Sequence, residues 1–475
     1  MSSVRVERSL ARKIWKKLID GPVPIADKKD LARIDDFIER INRSIGTKSY
    51  IPDIVLGYLG LQKGSGVTRF IPILSKEDMA VYYQLCGQIG DAVLTRRDGI
   101  FGGWHSVPTT HKVNSMSKHR REEEEANNSN QSYMSDSFSN FLWLQEFKNF
   151  TALIKELTSR VDVGNFVIQT DIANFYDSIE IPRLIKRLRT RAPDLEEFIE
   201  LLEMFLGIWN RRTTGYQQSS KGIPQEIISD ASRILSHFYL QEFDENFQEY
   251  CLENGLQYVR WADDILVFGS SRSKLELSIH VASKFLLKDG LNLNSSKTKI
   301  FTRTDYAMYR GIPVLTEIDQ KNKANFRREL RKFVKWSADN PARIDTVFRA
   351  TIGFVHSLGA DAKTYEKNFI FETIESDRDL AGTLSAIQLL RLIGIADNPS
   401  EMFSRLRRLF LSKPFAGPRA NFLMLLRGKG KDLMKLGISK LIITNSIEMI
   451  ENASEDSEVL RIYCVPAALN ATKDL

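Results

Sequence analysis

The chain has 475 residues, of which 43% are hydrophobic and 27% are charged, an ordinary composition for a soluble protein of about two to four domains. Its formal net charge is +7, with 67 Lys and Arg residues against 60 Asp and Glu residues. This balance argues against a disordered chain and favours polyanionic partners such as nucleic acid, although a basic protein without such a partner explains the charge equally well.

Cysteine usage and hydropathy indicate where the protein acts. Cys86, Cys251 and Cys464 are too few and too scattered for a disulfide framework or a zinc cluster, which favours a reducing compartment. The N-terminal stretch MSSVRVERSLARKIWKKLID lacks the apolar core of a secretory signal, and no apolar run is long enough to span a bilayer. We therefore expect a cytoplasmic protein without a membrane partner.

The first third of the chain is predicted to be mainly helical. Residues 1–50 carry apolar and basic side chains at the spacing of two amphipathic helices. The segment GVTRFIPILSKEDMAVYYQLCGQIGDAVL predicts a strand, a turn and a long helix. Residues 107–137 are polar and poor in apolar side chains, which indicates an exposed or mobile loop; it contains Tyr133. Residues 138–160 are again typical of a helix.

The middle third alternates strand and helix patterns. The segment NFVIQTDIANFYDSI predicts a buried strand that ends in Asp171, followed by the helix PRLIKRLRTR. KGIPQE, from Lys221, is a Gly/Pro loop that opens a further helix. YVRWADDILVFG predicts two strands joined by a two-residue corner, Asp263-Asp264, with a helix near residues 273–288 after it.

From about residue 320 the chain is predicted to be helical throughout. Leu-Leu-Arg at 389–391 recurs 36 residues later at 425–427, and Val-Leu-Arg follows 34 residues after that, at 459–461. A period in this range is typical of stacked helix pairs, but Leu-Leu-Arg is also a common helical string, so chance remains the alternative.

Three carboxylates mark the candidate site. Asp171 ends a strand, and Asp263 and Asp264 stand at a corner between two strands. If these strands are neighbours in one antiparallel sheet, the carboxylates meet at one edge, where two divalent cations about 3.5–4 Å apart could clamp a phosphoryl transfer. Asp-Asp alone would be a solvated turn, but the apolar flanks indicate a packed hairpin.

Five segments of the chain resemble conserved segments of reverse transcriptases, and they occur in the order found in that family. TRFIPILSKEDMAVYYQL is similar to their fingers, QTDIANFYDSI to their first catalytic strand, KGIPQEIISDASRILS to their Pro-Gln loop and helix, YVRWADDILVF to their catalytic hairpin, and GLNLNSSKTKI to the segment with the palm lysine. The resemblance implies an α+β right-hand polymerase with an all-α C-terminal domain. It implies fingers within residues 1–160, a palm within 161–318 and, at 319–475, helices in place of or including a thumb, HEAT-like if the repeat is real.

The resemblance also implies catalytic residues and a cofactor. Asp171, Asp263 and Asp264 would bind Mg²⁺ or Mn²⁺. Lys297 would lie near the phosphates and donate a proton, the alternative being a solvated lysine.

Further residues are implied to contact the substrate. Tyr176 would lie under the sugar and exclude a 2′-hydroxyl, and Arg69 would contact the triphosphate. Gln225 would line the nucleotide pocket, near Ser232 and Arg233 of the following helix. The structural alternatives are a core tyrosine and a surface arginine in an ion pair.

Glu226 departs from the family pattern. Reverse transcriptases usually have Gly after Pro-Gln, whereas this chain has a carboxylate. Next to Gln225 it would repel a triphosphate or accept a hydrogen bond from a base. A shifted nucleotide preference, synthesis without an ordinary template and lost activity are all consistent with it.

The tail narrows the choice within the family. It has no endonuclease, Cys-rich finger or ribonuclease H pattern, and no Val-Thr-Gly of the kind expected of a retron enzyme. DASRILS resembles abortive-infection and other bacterial defence-associated reverse transcriptases. The resemblance thus implies DNA synthesis from dNTPs in anti-phage defence, templated by RNA or untemplated, and primed by nucleic acid or by a protein hydroxyl such as that of Tyr133.

The partners implied are dNTPs, a dedicated non-coding RNA and the DNA product, and formation of a homo-oligomer stays open. The main alternative is a catalytically silent nucleic-acid-binding protein that acts as a scaffold or sensor. An RNA polymerase on the same palm is a third function, and Tyr176 argues against it.

Overall fold

The chain divides into two compact units. The computed structural model describes residues 4–62, 67–95, 97–103, 140–211, 215, 217–225, 227–228 and 230–475. The first unit comprises residues 1–14, 31–55 and 74–304, and the second comprises residues 15–30, 56–73 and 305–475.

The secondary structure of the described residues is as follows. The strands are β1 (Gly57–Gln62), β2 (Thr68–Ile73), β3 (Ile100–Phe101), β4 (Phe166–Asp171), β5 (Gln257–Trp261), β6 (Asp264–Gly269) and β7 (Lys299–Thr302). The helices up to β7 are α1 (Arg8–Asp20), α2 (Lys28–Ala32), α3 (Ile34–Gly46), α4 (Lys76–Val93), α5 (Asn140–Ser159), α6 (Phe175–Ser178), α7 (Ile181–Arg191), α8 (Glu196–Ile208), α9 (Asp230–Glu253) and α10 (Arg272–Lys288). The later helices are α11 (Arg303–Tyr309), α12 (Ile312–Asp319), α13 (Lys323–Asp339), α14 (Ile344–Leu358), α15 (Thr364–Ser376), α16 (Arg378–Gly382), α17 (Ala386–Ile395), α18 (Pro399–Leu411), α19 (Ala416–Lys435), α20 (Lys440–Asn452), a π-helical turn (Leu460–Cys464) and α21 (Val465–Thr472).

A five-stranded sheet with the order β3-β5-β6-β4-β7 forms the centre of the first unit. β3 runs parallel to β5, and the other neighbours are antiparallel. β6 is buried along almost its whole length, as its continuous apolar run Ile-Leu-Val-Phe predicts. Helix α9 covers β5, where Phe247 and Tyr258 pack edge to face with ring centroids 4.8 Å apart. Helix α10 packs on β6 and β4.

The hairpin corner differs by one residue from the sequence prediction. Asp264 is the first residue of β6 and pairs with Trp261, so the two-residue turn is Ala262-Asp263, and the predicted corner Asp263-Asp264 is wrong. The hairpin turn has no glycine to mark a positive φ; Ala262 adopts that conformation, with φ +52°.

The second unit joins a hairpin to a helical array. β1 and β2 pair antiparallel, and β1 packs on α19, where Gly417 leaves no room for a side chain: a Cβ there would lie 2.9 Å from the carbonyl oxygen of Gly60. The hairpin therefore belongs to the same compact unit as the C-terminal helices. These two units cut the chain differently from the three predicted domains, whose functional boundaries stay a prediction.

From residue 305 to the end the chain is helical, as predicted. Leu389 and Leu425 of the two Leu-Leu-Arg strings are buried in α17 and α19. Their arginines have different surroundings: Arg391 lies near His356, whereas the Nη2 of Arg427 donates to the carbonyl of Gly21 at 2.7 Å. A HEAT-like repeat is not shown and stays a prediction.

The structure describes the cysteines and the helices on which the expected compartment was based. Cys86, Cys251 and Cys464 are all buried free thiols. Within the described ranges, every helix is too short or too polar to cross a membrane.

Candidate active site

Three carboxylates lie at one edge of the central sheet. β4 and β6 pair antiparallel in a register that sets Asp171 directly opposite Asp264. The amide of Ile172, one residue beyond Asp171, donates to the carbonyl of Asp263 at 3.1 Å. Directly opposed residues on antiparallel strands have Cα atoms about 4.5–5.5 Å apart, so the backbone brings the predicted acidic trio together.

The turn that carries Asp263 is conformationally costly. A non-glycine residue in the left-handed region costs roughly 1–2 kcal/mol, and Ala262 occupies that region. The amide of Ala262 donates to the carbonyl of Phe101 in β3 at 3.0 Å. Gly102 makes this approach possible, since a Cβ at that position would lie 2.7 Å from the nitrogen of Ala262. The neighbouring strand β3 therefore stabilises the strained turn.

Asp171 is the most enclosed of the three carboxylates. Its side chain is 6% exposed, and its Oδ2 accepts a hydrogen bond from the ammonium of Lys297. Its Oδ1 is buried and has no hydrogen-bond partner in the described protein. A buried acceptor without a donor is costly, which marks this oxygen as a candidate ligand for a cation.

Lys297 lies beside Asp171 because of the short loop that follows α10. The amide of Asn294 donates to the carbonyl of Asp171 at 2.8 Å, and Asn294 caps the 3₁₀ turn that ends in Lys297. Burial alone would lower the pKa of Lys297, but the hydrogen bond and the charge of Asp171 outweigh it and raise that pKa. The predicted lysine is thus placed at the acidic edge and keeps its proton.

Asp263 responds to its neighbours by holding a proton more tightly. Burial and the negative charge of Asp264 raise the pKa of Asp263 to about 6, with a smaller effect from Asp171. Its residue surface is still partly exposed. A carboxyl with this pKa is ionised at neutral pH and protonated in mild acid.

The chemistry of the carboxylate oxygens fits a hard divalent cation, but their side chains do not form a cage. Within the ranges that the structure describes, no three His, Cys, Asp or Glu side chains are close enough to hold a metal ion together. Lys297 engages one oxygen of Asp171, and Asp263 and Asp264 repel one another. The unpartnered Oδ1 of Asp171 and the facing Asp264 are the observations that favour a cation here.

The predicted sugar-facing residue follows β4 directly. Asn174 has φ +46° and turns the chain into α6, where Tyr176 is 9% exposed and packs against Phe175 with ring centroids 5.6 Å apart. The carbonyl of Tyr176 accepts from the amide of Ile223 at 3.0 Å. This contact ties Tyr176 to the loop that leads to the half-buried Gln225. Its steric role stays a prediction.

Ser232 and Arg233 follow that loop in α9. The hydroxyl of Ser232 is buried, donates to the carbonyl of Pro224 and lies 2.7 Å from the hydroxyl of Tyr82. These contacts fix the loop next to Gln225. The side chain of Arg233 is half-buried. Substrate contact by either residue stays untested.

Three predicted positions remain, one in the second unit and two outside the described residues. Arg69 lies on β2 opposite Leu61, in the second compact unit, and its contact with a triphosphate stays untested. Glu226, Tyr133 and the loop at 107–137 lie outside the described residues.

A buried ion pair behind the hairpin was not anticipated. Arg260 of β5 is fully buried and pairs with Asp244 of α9. The hydroxyl of Tyr258 donates to Asp244 Oδ1 at 2.8 Å, and the Nη1 of Arg260 donates to the carbonyl of Ala262 at 2.6 Å. An arginine between the apolar residues Val259 and Trp261, two residues before the turn, is the sequence signal for this ion pair.

Comparisons with known proteins agree on the class of domain. The family profile described as reverse transcriptase (RNA-dependent DNA polymerase) matches residues 110–326, a little under half of the chain. This match and the arrangement of the sheet support a polymerase fingers and palm fold and a nucleotidyltransferase activity in general.

Two curated proteins of Escherichia coli are similar to part of this chain. The chain is 24% identical over 223 residues to the Retron Ec83 reverse transcriptase, covering 44% of this chain and 68% of that protein. It is 25% identical over 211 residues to Protein YkfC of strain K12, covering 35% of this chain and 54% of that protein. These matches support a bacterial reverse transcriptase.

Solved structures of telomerase are also similar. A Candida albicans telomerase in complex with a fragment of telomeric RNA aligns over 67% of this chain and 52% of that chain, with 12% identity and a TM-score of 0.29. Apo telomerase of Candida tropicalis aligns over 68% and 55%, with 9% identity and a TM-score of 0.25. At such scores neither structure bears on function.

Proposed function

We propose that this protein is a DNA polymerase of the reverse transcriptase type that adds dNTPs to a primer hydroxyl. The observation that carries the proposal is the register of β4 and β6, which sets Asp171 opposite Asp264 with Asp263 in the adjoining turn. The family match over residues 110–326 supports the same chemistry.

Asp171, Asp263 and Asp264 would hold the divalent cations, Mg²⁺ or Mn²⁺. Bound there, such a cation stabilises the charge that develops on the phosphoryl oxygens and makes the primer hydroxyl a better nucleophile. Asp171 offers its unpartnered Oδ1, and Asp263 is ionised at neutral pH. Below about pH 6 a proton on Asp263 would compete with the cation.

Other residues of the chain would bind and orient the nucleotide. Lys297 keeps its proton at Nζ beside Asp171, where it could neutralise a phosphate or supply a proton to the departing pyrophosphate. Tyr176 would exclude a 2′-hydroxyl, Gln225 would line the base pocket, and Arg69 would contact the triphosphate.

The biological setting is part of the same proposal. Similarity to a retron reverse transcriptase and to a second Escherichia coli protein supports a bacterial enzyme, and we propose a cytoplasmic role in anti-phage defence. The proposal leaves open three modes of synthesis: copying of a dedicated RNA, synthesis without a template, and priming by a protein hydroxyl. Nucleotide incorporation by the purified protein separates them.

Two observations favour the alternative of a silent nucleic-acid-binding protein. The described side chains do not form a three-ligand metal group, and the ammonium of Lys297 already pairs with one oxygen of Asp171. A scaffold or sensor that kept the fold would carry such a site without using it.

The test is incorporation of labelled dNTPs or rNTPs by the purified protein, with Mg²⁺ or Mn²⁺ and with or without nuclease treatment of the preparation. Loss of incorporation on nuclease treatment would indicate a bound template. Product that enters a gel without protease treatment would rule out covalent protein priming. A wild-type protein that incorporates neither class of nucleotide favours the silent alternative.

The decisive variant is Asp263→Ala with Asp264→Ala, which should abolish incorporation while the fold survives. The matched control is Asp35→Ala with Asp36→Ala, because these adjacent aspartates of α3 are exposed and carry the same charge. Full activity of the first double variant would refute the polymerase proposal.

A further inference from the structure

We propose that Arg260 is a positioning residue that holds the Ala262-Asp263 turn, and with it the carboxylates of Asp263 and Asp264, in the arrangement required for nucleotide addition. This inference rests on the proposed polymerase function for its kinetic consequence. Its structural part, the restraint of the turn, stands independently of that function.

The contacts of Arg260 are divided between two tasks. Its Nε donates to Asp244 Oδ1 at 2.7 Å, and its Nη2 contacts Asp244 Oδ2 and lies 3.4 Å from the Nδ1 of His237. Its Nη1 points the other way and donates to the carbonyl of Ala262 at 2.6 Å. The ion pair with α9 therefore orients a guanidinium whose remaining arm holds the turn.

Stability alone is a poor reason for this arrangement. Arg260 and Asp244 are each 1% exposed, and replacing a buried ion pair by apolar side chains of similar volume is often neutral or stabilising. An apolar pair could fill the same space but could not donate to a backbone carbonyl. What the pair adds is a fixed, charged donor aimed at a single residue of the turn.

That turn is restrained from three sides. The amide of Ala262 donates to Phe101 in β3, its carbonyl accepts from Arg260 in β5, and the carbonyl of Asp263 accepts from Ile172 beyond β4. Ala262 has the left-handed conformation that an alanine does not favour. Without the Arg260 donor, Ala262 can relax toward a more favourable φ, and the relaxation would rotate the peptide that carries Asp263.

Two variants remove the Arg260 donor to the Ala262 carbonyl in different ways, and we call them the clamp variants. Arg260→Lys keeps the charge but offers an ammonium in place of the planar fork, so it cannot serve Asp244 and Ala262 in the same geometry. Arg260→Met with Asp244→Asn removes the buried charges at similar volume. The matched control is Arg187→Lys, because Arg187 also pairs with a buried aspartate, Asp289, at 2.6 Å and donates to a backbone carbonyl, that of Tyr239, at 3.0 Å.

The first measurement is hydrogen exchange of the metal-free protein, read by mass spectrometry. Both clamp variants should exchange the amides of Ala262 and Ile172 roughly 10- to 100-fold faster, the change expected when one hydrogen bond to a charged group is lost. Arg187→Lys should leave these amides unchanged. Unchanged exchange at the turn in both clamp variants overturns the proposal. Uniformly faster exchange throughout the first unit overturns it as well, because Arg260 would then serve general stability.

The second measurement is the kinetics of dNTP incorporation. Both clamp variants should lower kcat roughly 10- to 100-fold while KM for the dNTP changes by less than about twofold, because the turn holds catalytic carboxylates and not the nucleotide. An equal loss in Arg187→Lys, or a change confined to KM, contradicts the positioning role. If the wild-type protein incorporates no nucleotide, the proposed function fails, but the exchange experiment still decides whether Arg260 holds the turn.

Discussion

Replacing Asp263 by Asn should stabilise the metal-free protein while abolishing its activity. Burial and the charge of Asp264 raise the pKa of Asp263 from 3.8 to about 6. One pKa unit corresponds to about 1.36 kcal/mol, so ionising Asp263 in the folded protein costs about 3 kcal/mol more than in the unfolded chain. Asn has nearly the same shape and no charge, and therefore removes this cost.

The gain should depend on pH with a definite sign. Between pH 3.8 and about 6 the folded state binds more protons at Asp263 than the unfolded state, so the wild-type protein loses stability as the pH rises through this window. Asp263→Asn should therefore raise the free energy of unfolding by about 3 kcal/mol at pH 7 to 8 and by almost nothing below pH 3.8.

The assay is urea-induced unfolding in EDTA at several pH values, combined with dNTP incorporation in Mg²⁺. Asp339→Asn is the matched control, because Asp339 is exposed on α13 and a surface substitution changes stability by about 0.5 kcal/mol or less. The reasoning is refuted if Asp263→Asn is destabilising at pH 8, or if its gain is the same at every pH. Retained incorporation would instead remove Asp263 from the catalytic set.

Three further substitutions test single contacts. Tyr176→Ala should raise rNTP use relative to dNTP use in competition assays, and an unchanged ratio means that another residue excludes the 2′-hydroxyl. Burial raises the pKa of Asp78 to about 6 despite the hydrogen bond from Tyr50, so wild-type stability falls as pH rises from 3.8 to about 6. Asp78→Asn should therefore flatten the pH dependence of the free energy of unfolding, and an unaltered profile contradicts this. Gly102→Ala should lower the melting temperature and kcat, because Gly102 has φ +86° and an added Cβ would lie 2.7 Å from the nitrogen of Ala262. An unchanged melting temperature would contradict this and show that β3 can shift.

Local patterns were sufficient for the elements that carry the site. The apolar run before Asp171 predicted β4, and the apolar residues on both sides of Asp263 and Asp264 predicted a packed hairpin. Hydrophobic periodicity and secondary-structure propensity depend on a few neighbouring residues, so they can be recognised in the sequence without knowledge of the fold. The exact turn was not predicted, because Ala262 adopts a conformation that its residue type disfavours and its neighbours in the sheet impose.

Contacts between distant segments were beyond local patterns. Lys297 meets Asp171 across 126 positions, and Arg260 reaches an acid in α9, because the strand order brings these residues together. The association of β1 and β2 with the C-terminal helices likewise depends on the packing of α19. Neither a pairing partner nor a pKa is a property of one segment, because both depend on which groups burial places side by side.

The sequence by itself therefore determined the acidic residues, the strand ends that carry them and the helical character of the C-terminal part. The tertiary structure alone decided that Asp171 faces Asp264, that Lys297 pairs with Asp171 and that a buried arginine holds the turn. The physical reason is that side-chain type and periodicity are written locally, whereas register, burial and charge pairing arise only when remote strands pack into one sheet.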